Sequence, residues 1–409
     1  MSFHSIWLKI AALLLSALVS ACGGGSSASP PVGGITVVPG DGQVTISWVP
    51  DKDVQYWLFY APGTSISTKD LFTTPNHVDV LNVTSPYVVS GLANGVSYAF
   101  TIDGRFDGGP GGHQTPAVAA IPRMAGTTWM PGTAGALGTV DMQGITYGLA
   151  SDAVQRYLAV GNGGAMYQST DGLTWAAIAG TDRPSLSAAT YGLSKFFTVG
   201  ASGSILYSAD LATWSVAVSN TTARLNAVAN NGGVFVAVGD AGTIRTSTDG
   251  LTWIAATTVP SSANLYGVAY SGIGLWMAVG AGGVLLTSSD ALTWTAVGSG
   301  TTSDLRAIAV QYVASYNYVV VGDDGTVLTS IDAATWTQQK LSPASNLRSV
   351  VASYSQFVAA GTGGAVFTSA TGATWTAQAS NTTADLTAMS YSQSQLLAVG
   401  KGGVSIYSR

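Results

Sequence analysis

The sequence is poor in charged residues, and one kind is missing altogether. Among its 409 residues there is no glutamate, all 20 acidic residues are aspartate, and lysine and arginine together number 15. Because glutamate and lysine are among the residues that best support an exposed helix surface, their scarcity argues against a helical protein. The many valine, threonine, tyrosine and tryptophan residues favour strands instead. The composition therefore predicts an all-β protein with many tight turns.

The positive charges are few and dispersed. The formal net charge is −5 at pH 7, and lysine and arginine occur singly along the chain. Binding to nucleic acid requires a concentrated cationic face for the phosphates. The sequence therefore argues against nucleic acid as a partner.

Cysteine and histidine, which supply many metal sites, are also rare. Cys22 is the only cysteine, so neither a disulfide nor a thiolate metal site is expected in the folded part. The three histidines, His4, His77 and His113, all precede residue 124. The longer part of the chain thus lacks the usual ligands of zinc and haem. Asp323 and Asp324 are too few carboxylates for a calcium site by themselves, and we expect no metal and no cofactor.

The first residues have the pattern of a targeting segment. A polar start with Lys9 precedes an apolar run over residues 10–19, which is too short to span a bilayer but suits a signal peptide. The sequence VSAC that ends at Cys22 resembles the lipobox of bacterial lipoproteins; an ordinary signal with a chance cysteine is the alternative. The resemblance implies cleavage before Cys22 and acylation of its thiol. Residues 1–21 are then a signal peptide and 22–33 a flexible tether.

The residue after the cysteine indicates which of the two membranes would hold such a lipoprotein. In lipoproteins of Gram-negative bacteria, an aspartate at this place usually retains the protein in the inner membrane. Here Gly23 follows Cys22. The resemblance therefore implies anchoring in the outer membrane.

Residues 34–122 read as a small β-sandwich. The segments QVTISWV, VQYWLFY and VSYAFTI alternate apolar and polar residues, as half-buried strands do. The region resembles a fibronectin type III domain. The resemblance is carried by Trp48, by the Tyr56/Leu58 strand and by the segment GLANGVSY, in which Leu92 precedes Tyr98 by six residues. The resemblance implies a spacer or a binding module.

From residue 124 onward the chain repeats itself. A frame L-x-x-V-A…AVG-x-x-G-x-x-x-x-S occurs seven times, and successive copies are 39 to 42 residues apart. Each copy is long enough for four short strands, the content of one propeller blade. The last copy is cut short at the chain end, and its missing part, GTTW, stands at the front of the region. Residues 124–409 are therefore predicted to form a seven-bladed β-propeller whose closing blade is shared by both ends.

Each repeat also carries a turn motif. STDGLTW occurs twice, at residues 169–175 and 247–253, and looser copies follow the other repeats. The motif resembles the Asp-box (BNR) repeat of sialidase-like propellers, one residue shorter. Its aspartate is predicted to accept backbone N–H groups of its own turn, a glycine or alanine to follow at the bend, and the tryptophan to pack between blades. We interpret these residues as structural: Asp171, Asp210, Asp249, Asp290, Asp332, Trp129, Trp175, Trp214, Trp253, Trp294, Trp336 and Trp375. Thr371 replaces the aspartate in the sixth copy.

Candidate binding residues lie in the turns and segments that should share one face of the ring. They are Arg224, Arg306, Arg348, Asp240, Asp323 and Asp324. Arg306 and Arg348 directly follow a leucine of the frame, where the other repeats are predicted to place Thr146, Ser187, Asn226, Tyr266 and Thr387. A fold that tolerates these residues does not require arginine there, so a binding patch is one interpretation and a solvated face the other.

The repeat also resembles the propeller of photosystem II assembly factors, which bind a membrane-protein partner through an arginine patch. The resemblance implies protein binding by the propeller face. A sialidase-like enzyme would need a glutamate beside its tyrosine nucleophile, so acid–base chemistry here would depend on Asp or Tyr. We expect a monomeric, non-enzymatic outer-membrane lipoprotein that binds a protein or a glycan. Assembly of an envelope protein and an Asp-based glycan-active site are the alternatives.

Overall fold

The structure is a computed structural model that describes residues 28–69, 71–109, 111–180, 182–313, 315–392 and 395–408. The predicted signal peptide and Cys22 lie outside these ranges. The described elements are strands and short 3₁₀ turns, which confirms the all-β prediction. Within these ranges no helix has the length and apolarity needed to cross a bilayer. The chain divides into two units: unit 1 comprises the residues up to Pro39 together with Gln43–Pro122, and unit 2 comprises Gly40–Gly42 together with the residues from Arg123 onward.

Unit 1 is built from two sheets that share a core. Its strands are β1 Thr36–Gly40, β2 Gln43–Ser47, β3 Gln55–Pro62, β4 Val78–Val83, β5 Tyr87–Ser90, β6 Tyr98–Arg105 and β7 Val118–Ala120, with a 3₁₀ turn at Leu71–Thr73. One sheet has the order β1-β2-β5 and the other β4-β3-β6-β7. Val44 and Ile46 of β2 are fully buried against Leu58 of β3 and Phe100 of β6. Alternating inward residues of the two sheets therefore form the core, as in a β-sandwich.

The described part of unit 2 contains seven four-stranded sheets. Sheets 1 to 6 each use four consecutive strands, and sheet 7 adds β8 from the start of the unit to the last three. Sheet 1 contains β9 Met142–Leu149, β10 Gln155–Gly161, β11 Met166–Ser169 and β12 Ala176–Ala177; sheet 2 contains β13 Leu186–Gly192, β14 Lys195–Gly200, β15 Ile205–Ser208 and β16 Ser215–Val216; and sheet 3 contains β17 Leu225–Asn230, β18 Phe235–Gly239, β19 Ile244–Ser247 and β20 Ile254–Ala255. Sheet 4 contains β21 Leu265–Tyr270, β22 Trp276–Gly280, β23 Leu285–Ser288 and β24 Thr295–Ala296; sheet 5 contains β25 Leu305–Val313, β26 Ser315–Gly322, β27 Thr326–Ser330 and β28 Thr337–Lys340; and sheet 6 contains β29 Leu347–Ala352, β30 Phe357–Gly361, β31 Val366–Ser369 and β32 Thr376–Gln378. Sheet 7 contains β33 Leu386–Ser392, β34 Gln395–Gly400 and β35 Ser405–Ser408, together with β8 Met130–Pro131.

The first strands of the seven sheets follow one another around a ring. Each first strand contacts the first strand of the next sheet, and β33 of sheet 7 contacts β9 of sheet 1. Tyr407 of β35 pairs with Met130 of β8, so strands from both ends of unit 2 complete sheet 7. This pairing leaves no terminal strand of the repeat without a neighbour, which a closed ring of sheets requires.

Large apolar side chains fill the space between neighbouring sheets. The second strands are covered on both faces, and β18 is buried along its whole length. Between sheets 2 and 3, Phe197 packs against Phe235, and Phe235 in turn packs against the fully buried Trp253. Aromatic rings bury much apolar area per residue, so such clusters hold successive sheets together.

Candidate functional site

A β-bulge near the start of each first strand turns one side chain toward the axis of the ring. In β13, Leu186 pairs with Gly200 and Ala188 with Val199, so Ser187 is the extra residue between them. The same shift recurs in all seven first strands. The bulge residues, one from each sheet, are Gln143, Ser187, Asn226, Tyr266, Arg306, Arg348 and Thr387. Bulges commonly re-aim a side chain in this way.

One predicted member of this set was wrong. The sequence frame placed Thr146 at this position of sheet 1, but Met142 pairs with Gly161 and Gly144 with Val160. Gln143 is therefore the bulge residue. Thr146 lies further along β9, opposite Leu158.

The bulge residues surround the mouth of a central channel. A cavity of about 350 Å³ is lined by the bulge residues of all seven sheets together with Arg224, Asp385 and Lys401. Below it, a space of about 250 Å³ is lined by all seven first strands, mostly by small and aliphatic side chains such as Ala188, Ala227 and Gly267. The mouth is thus polar and cationic, and the space beneath it is smaller and shares the same seven bulge residues.

Short turns between the second and third strands form the rim of this mouth. In six sheets they are 3₁₀ turns at Asn162–Gly164, Ala201–Gly203, Asp240–Gly242, Ala281–Gly283, Thr362–Gly364 and Lys401–Gly403, and in sheet 5 the turn covers residues 323–325. We call these seven segments the linking turns. The middle residue of each has a positive φ, including the non-glycine residues Ser202, Ala241 and Asp324.

Arg306 is the most firmly held of the candidate arginines. Its guanidinium donates to both carboxylate oxygens of Asp323, at 3.2 and 2.6 Å, and to Oδ2 of Asp304 at 2.9 Å. It also lies 4.3 Å from the ring centroid of Tyr266, in cation–π contact. Burial alone would lower the pKa of Arg306, but the hydrogen bond and charge of Asp323 outweigh this and raise it. Two carboxylates thus neutralise Arg306, which leaves it little charge to offer a ligand.

The other cations at the mouth are less occupied. Arg348 has an ion pair with Asp323 at 3.2 Å, the same carboxylate that Arg306 uses. Lys401 pairs with Asp385 at 2.7 Å, and this hydrogen bond lowers the pKa of Asp385 and raises that of Lys401. Within the described residues, the Arg224 guanidinium has no hydrogen bond or ion pair. The positive charge that a ligand could reach is therefore concentrated at Arg348 and Arg224.

The remaining candidates are placed differently. Asp240 lies at the first position of its linking turn, and its carboxylate accepts the side-chain amide of Asn226 at 2.9 Å. Asp324 is exposed at the tip of its linking turn and does not line the mouth. The structure therefore gathers Arg224, Arg306, Arg348 and Asp323, keeps Asp240 beside a bulge residue, and sets Asp324 apart. Sequence reasoning missed Gln143 and Asp385 as lining residues.

The Asp-box motifs lie at the opposite ends of the strands, between the third and fourth strands of the sheets. In the third copy, Oδ1 of Asp249 accepts the N–H groups of Leu251 and Thr252 at 2.8 and 3.0 Å, and the hydroxyl of Ser247 accepts the Gly250 N–H at 2.8 Å. Equivalent bonds occur at Asp171, Asp210, Asp290 and Asp332. Each carboxylate thus bonds the backbone of its own turn.

One detail of this motif was predicted wrongly. The expectation that a glycine or alanine follows the aspartate fails at Leu211, whose φ of +63° is close to those of Ala291 and Ala333 in other copies, +64° and +58°. Leu211 is fully buried beside Trp214 and Leu206. Packing of its side chain offsets the cost of this backbone conformation.

No family model matches the sequence, and no curated protein matches it either. Solved structures are nevertheless similar in fold. "YCF48 bound to D1 peptide" aligns with a TM-score of 0.55 and 16% identity over 69% of this chain and 94% of that one. YCF48 from Cyanidioschyzon merolae aligns with a TM-score of 0.53 and 18% identity over 69% and 98%. The WD40 β-propeller domain of Doa1 aligns with a TM-score of 0.54 and 9% identity over 69% and 97%.

Unit 2 is a β-propeller. At these identities the likeness concerns the fold, and we use the name propeller for unit 2 from here on. In propellers, as in other closed or packed folds, ligands enter concave places with a few convergent polar groups. The mouth described above is such a place in this propeller.

Proposed function

We propose that this chain is a bacterial outer-membrane lipoprotein that binds a protein partner, without catalysis, at the mouth of its propeller. In this proposal Cys22 carries the lipid after removal of residues 1–21, residues 22–33 are the tether, residues 34–122 are the spacer and residues 124–409 are the binding domain. Assembly of an envelope protein is the form of binding that we favour. A monomer suffices for it, because the mouth is built from one chain.

The observation that carries the proposal is the lining of the mouth. Arginine, tyrosine and amide side chains converge on it. Its lining carboxylate Asp385 is engaged with Lys401, and the neighbouring Asp323 with Arg306 and Arg348. A glycosidase would instead present two carboxylates about 5–10 Å apart, with one of them kept protonated. Acids held in ion pairs with arginine or lysine are poor proton donors, because their cationic partners favour the charged form. The lining therefore favours recognition over acid–base chemistry.

Similar structures support a protein partner over a glycan. One of them, a YCF48 structure, is bound to a D1 peptide. That contact belongs to YCF48. At 16% identity, we transfer to this chain only the mode of binding, in which the ligand is a polypeptide. The mode agrees with a cationic mouth in which, among the described lining residues, Tyr266 is the only aromatic side chain that could stack on a sugar, and Arg306 already covers it.

We infer seven blades and a fibronectin III-like spacer from the arrangement of the sheets. Support for the seven blades comes from the seven sheets and from the sharing of sheet 7 between both ends. Support for the spacer comes from its sheet orders and from Tyr98, whose hydroxyl accepts the Ala93 N–H at 3.1 Å, next to the buried Leu92. A tyrosine that bonds the backbone a few residues upstream is typical of such sandwiches.

Site-specific photocrosslinking in the producing cell tests the proposal. A benzophenone amino acid placed at Gln143, in the mouth, is expected to form one specific protein adduct. The same amino acid at Ile331, which is 75% exposed in the Asp-box turn at the other end of sheet 5, is the control. In the double variant Arg224→Gln/Arg348→Gln, the adduct at position 143 should fall by about tenfold, since each lost charge-assisted contact weakens binding.

Two results would contradict this expectation. If positions 143 and 331 give the same adducts, the mouth has no special role. If the adduct at position 143 persists in the double variant, the arginines are a solvated face and not a binding patch. In the absence of any protein adduct, glycan binding becomes the better interpretation.

A further inference from the structure

The linking turns follow a bonding rule that the sequence frame does not reveal. In six of the seven, the N–H of the middle residue donates to a side-chain oxygen of the residue that precedes the first strand of the next sheet. The pairs are Gly163 with Ser185, Ala241 with Asn264, Gly282 with Asp304, Asp324 with Asn346, Gly363 with Asp385 and Gly402 with Asp141, at 2.8 to 3.0 Å. In these six sheets a serine, asparagine or aspartate therefore supplies an acceptor at this place.

The turn of sheet 2 breaks this rule. Its middle residue is Ser202, and the residue before the first strand of sheet 3 is Arg224. The backbone is arranged as in the other sheets: Ser202 has φ +56°, and the carbonyl of Arg224 accepts the Asp240 N–H at 2.9 Å, as the carbonyl of Ser185 accepts the Ala201 N–H. Only the side chain differs, and a guanidinium has no acceptor. Within the described residues, nothing accepts the N–H of Ser202.

Two donors of this region therefore lack a partner among the described residues. One is the Ser202 N–H, and the other is the Arg224 guanidinium, which lines the mouth and has no partner in the described part of the chain. A single external carboxylate would satisfy both, with one oxygen for the N–H and the other for the guanidinium. Three of the six internal acceptors, Asp141, Asp304 and Asp385, are themselves carboxylates, so the turn accommodates this group.

We propose that Ser202 and Arg224 form a carboxylate subsite, in which an aspartate or glutamate side chain of a bound polypeptide completes the capping pattern of the ring. The choice of a polypeptide rests on the proposed function; the carboxylate chemistry rests on the missing cap alone. At sheet 2 the ligand would supply the acceptor oxygen that the protein itself supplies in the other six sheets. The subsite lies between sheets 2 and 3, whereas the Arg306–Asp323 pair lies in sheet 5.

Amide NMR of the ¹⁵N-labelled full chain in detergent tests the subsite. The probe is an acetylated, amidated Ala-Asp-Ala peptide, with Ala-Asn-Ala as the uncharged isostere. We expect a saturable shift of the Ser202 amide with the aspartate peptide, and at least about tenfold weaker binding of the asparagine peptide, as loss of a charge-assisted bond implies. Inorganic phosphate is the second probe, which separates a carboxylate site from a general anion site.

One variant replaces the donor side chain at position 224 by one that contains an acceptor oxygen. Arg224→Asn places at position 224 the residue that caps two other turns, at Asn264 and Asn346. Without any peptide, it should slow hydrogen exchange of the Ser202 amide, and it should abolish the peptide-induced shift. Arg156→Asn, which removes an arginine at the far end of β10, should change neither.

Three outcomes would overturn the subsite. They are a Ser202 amide that does not respond to the aspartate peptide, a response retained in Arg224→Asn, and phosphate binding as tight as that of the peptide. These readouts do not involve the cellular partner. A Ser202 response without any photocrosslinked protein would uphold the subsite and reject the proposed function, and the converse result would do the opposite.

Discussion

The aspartates of the Asp-box turns act on their own backbone. In each, one carboxylate oxygen accepts two successive N–H groups, which would otherwise have no partner in the turn. Hydrogen bonds from Thr252 and Leu251 lower the pKa of Asp249, and the equivalent bonds lower the pKa of Asp290 and Asp332 to about 2. A lowered pKa in the folded state means that the charged form stabilises the fold.

The sixth copy of the motif offers a gain-of-stability test. Thr371 stands in place of the aspartate, and its hydroxyl accepts only a long bond, 3.4 Å, from Ala373. Thr371→Asp should therefore raise the free energy of unfolding by about 1 kcal/mol, and Asp249→Ala should lower it by about the same amount. Thermal unfolding at pH 7 measures both, as opposite shifts of about 2 °C. Equal destabilisation by the two variants would contradict the role of the carboxylate.

The same pair of variants has a defined pH dependence. Because the folded pKa lies below the unfolded value of about 3.9, the stabilisation is present above about pH 5 and is lost as the pH falls toward 2. The advantage of Thr371→Asp over the native chain should therefore disappear across this window. A difference in melting temperature that stays constant from pH 7 to pH 2.5 would show that the carboxylate charge is not involved.

Single residues also show the limit of sequence reasoning. The Asp-box aspartates recur with a fixed neighbourhood of letters, so the motif predicts which groups they bond. The capping residues of the linking turns vary among serine, asparagine and aspartate and lie more than twenty positions from their partners. Without the fold nothing in the sequence connects them, and the exception at Arg224 is therefore invisible.

At the scale of elements, the bulges decide which side chains reach the mouth. The frame of the repeats correctly indicates that the residue after the leucine is variable, but not that a bulge turns it toward the axis. In sheet 1 the leucine is replaced by Met142, so the frame loses its register and the prediction slips from Gln143 to Thr146. Register depends on which residues of two strands pair, and the letters of the frame do not specify this.

The linking turns give a prediction with a control in the same turn. Gly283 has φ +78°, and an added Cβ would lie 1.9 Å from the carbonyl oxygen of Thr301. Gly282 has φ +65° and open space around that position, and Ala241 occupies the same place in sheet 3. Gly283→Ala should therefore destabilise the propeller by more than about 2 kcal/mol, but Gly282→Ala by only about 1 kcal/mol. Urea unfolding of both variants measures the difference, and equal losses would contradict the steric explanation.

At the scale of the whole molecule, the number of repeats can be predicted from the sequence because it depends on counting. The charge pairs of the mouth cannot be predicted in this way. Asp323 lies 17 residues from Arg306 along the chain, and its second partner, Arg348, belongs to the next sheet. Which arginine is neutralised and which is available depends on distances across sheets, so the sequence could gather the candidates but could not rank them.

The predicted lipid anchor can be tested on the intact protein. Cys22→Ser removes the only thiol that could be acylated, so the variant should leave the membrane fraction and lose labelling by a palmitate analogue. One intact acyl-bearing cysteine carries enough hydrocarbon for stable anchoring, which its loss would abolish. Ser26→Ala, in the predicted tether, is the control and should stay in the membrane fraction. A Cys22→Ser protein that still fractionates with membranes would contradict the lipoprotein prediction.

Closure of the ring depends on bonds between the two ends of the propeller. The Ser408 hydroxyl accepts the Gly126 N–H at 2.8 Å across 282 residues, which repeats the local bond between Ser247 and Gly250 in sheet 3. Ser408→Ala and Ser247→Ala both remove this bond, worth about 1 kcal/mol, and Ser247→Ala also removes the bond from its hydroxyl to the Asp249 carboxylate. Only the first loosens the joint between β8 and β35, because strands from opposite chain ends are free to separate there, whereas β19 and β20 remain connected by their own turn. Hydrogen exchange should rise at residues 405–408 in Ser408→Ala and stay local to residues 250–253 in Ser247→Ala. The same exchange pattern in both variants would mean that the ring does not open first at this joint.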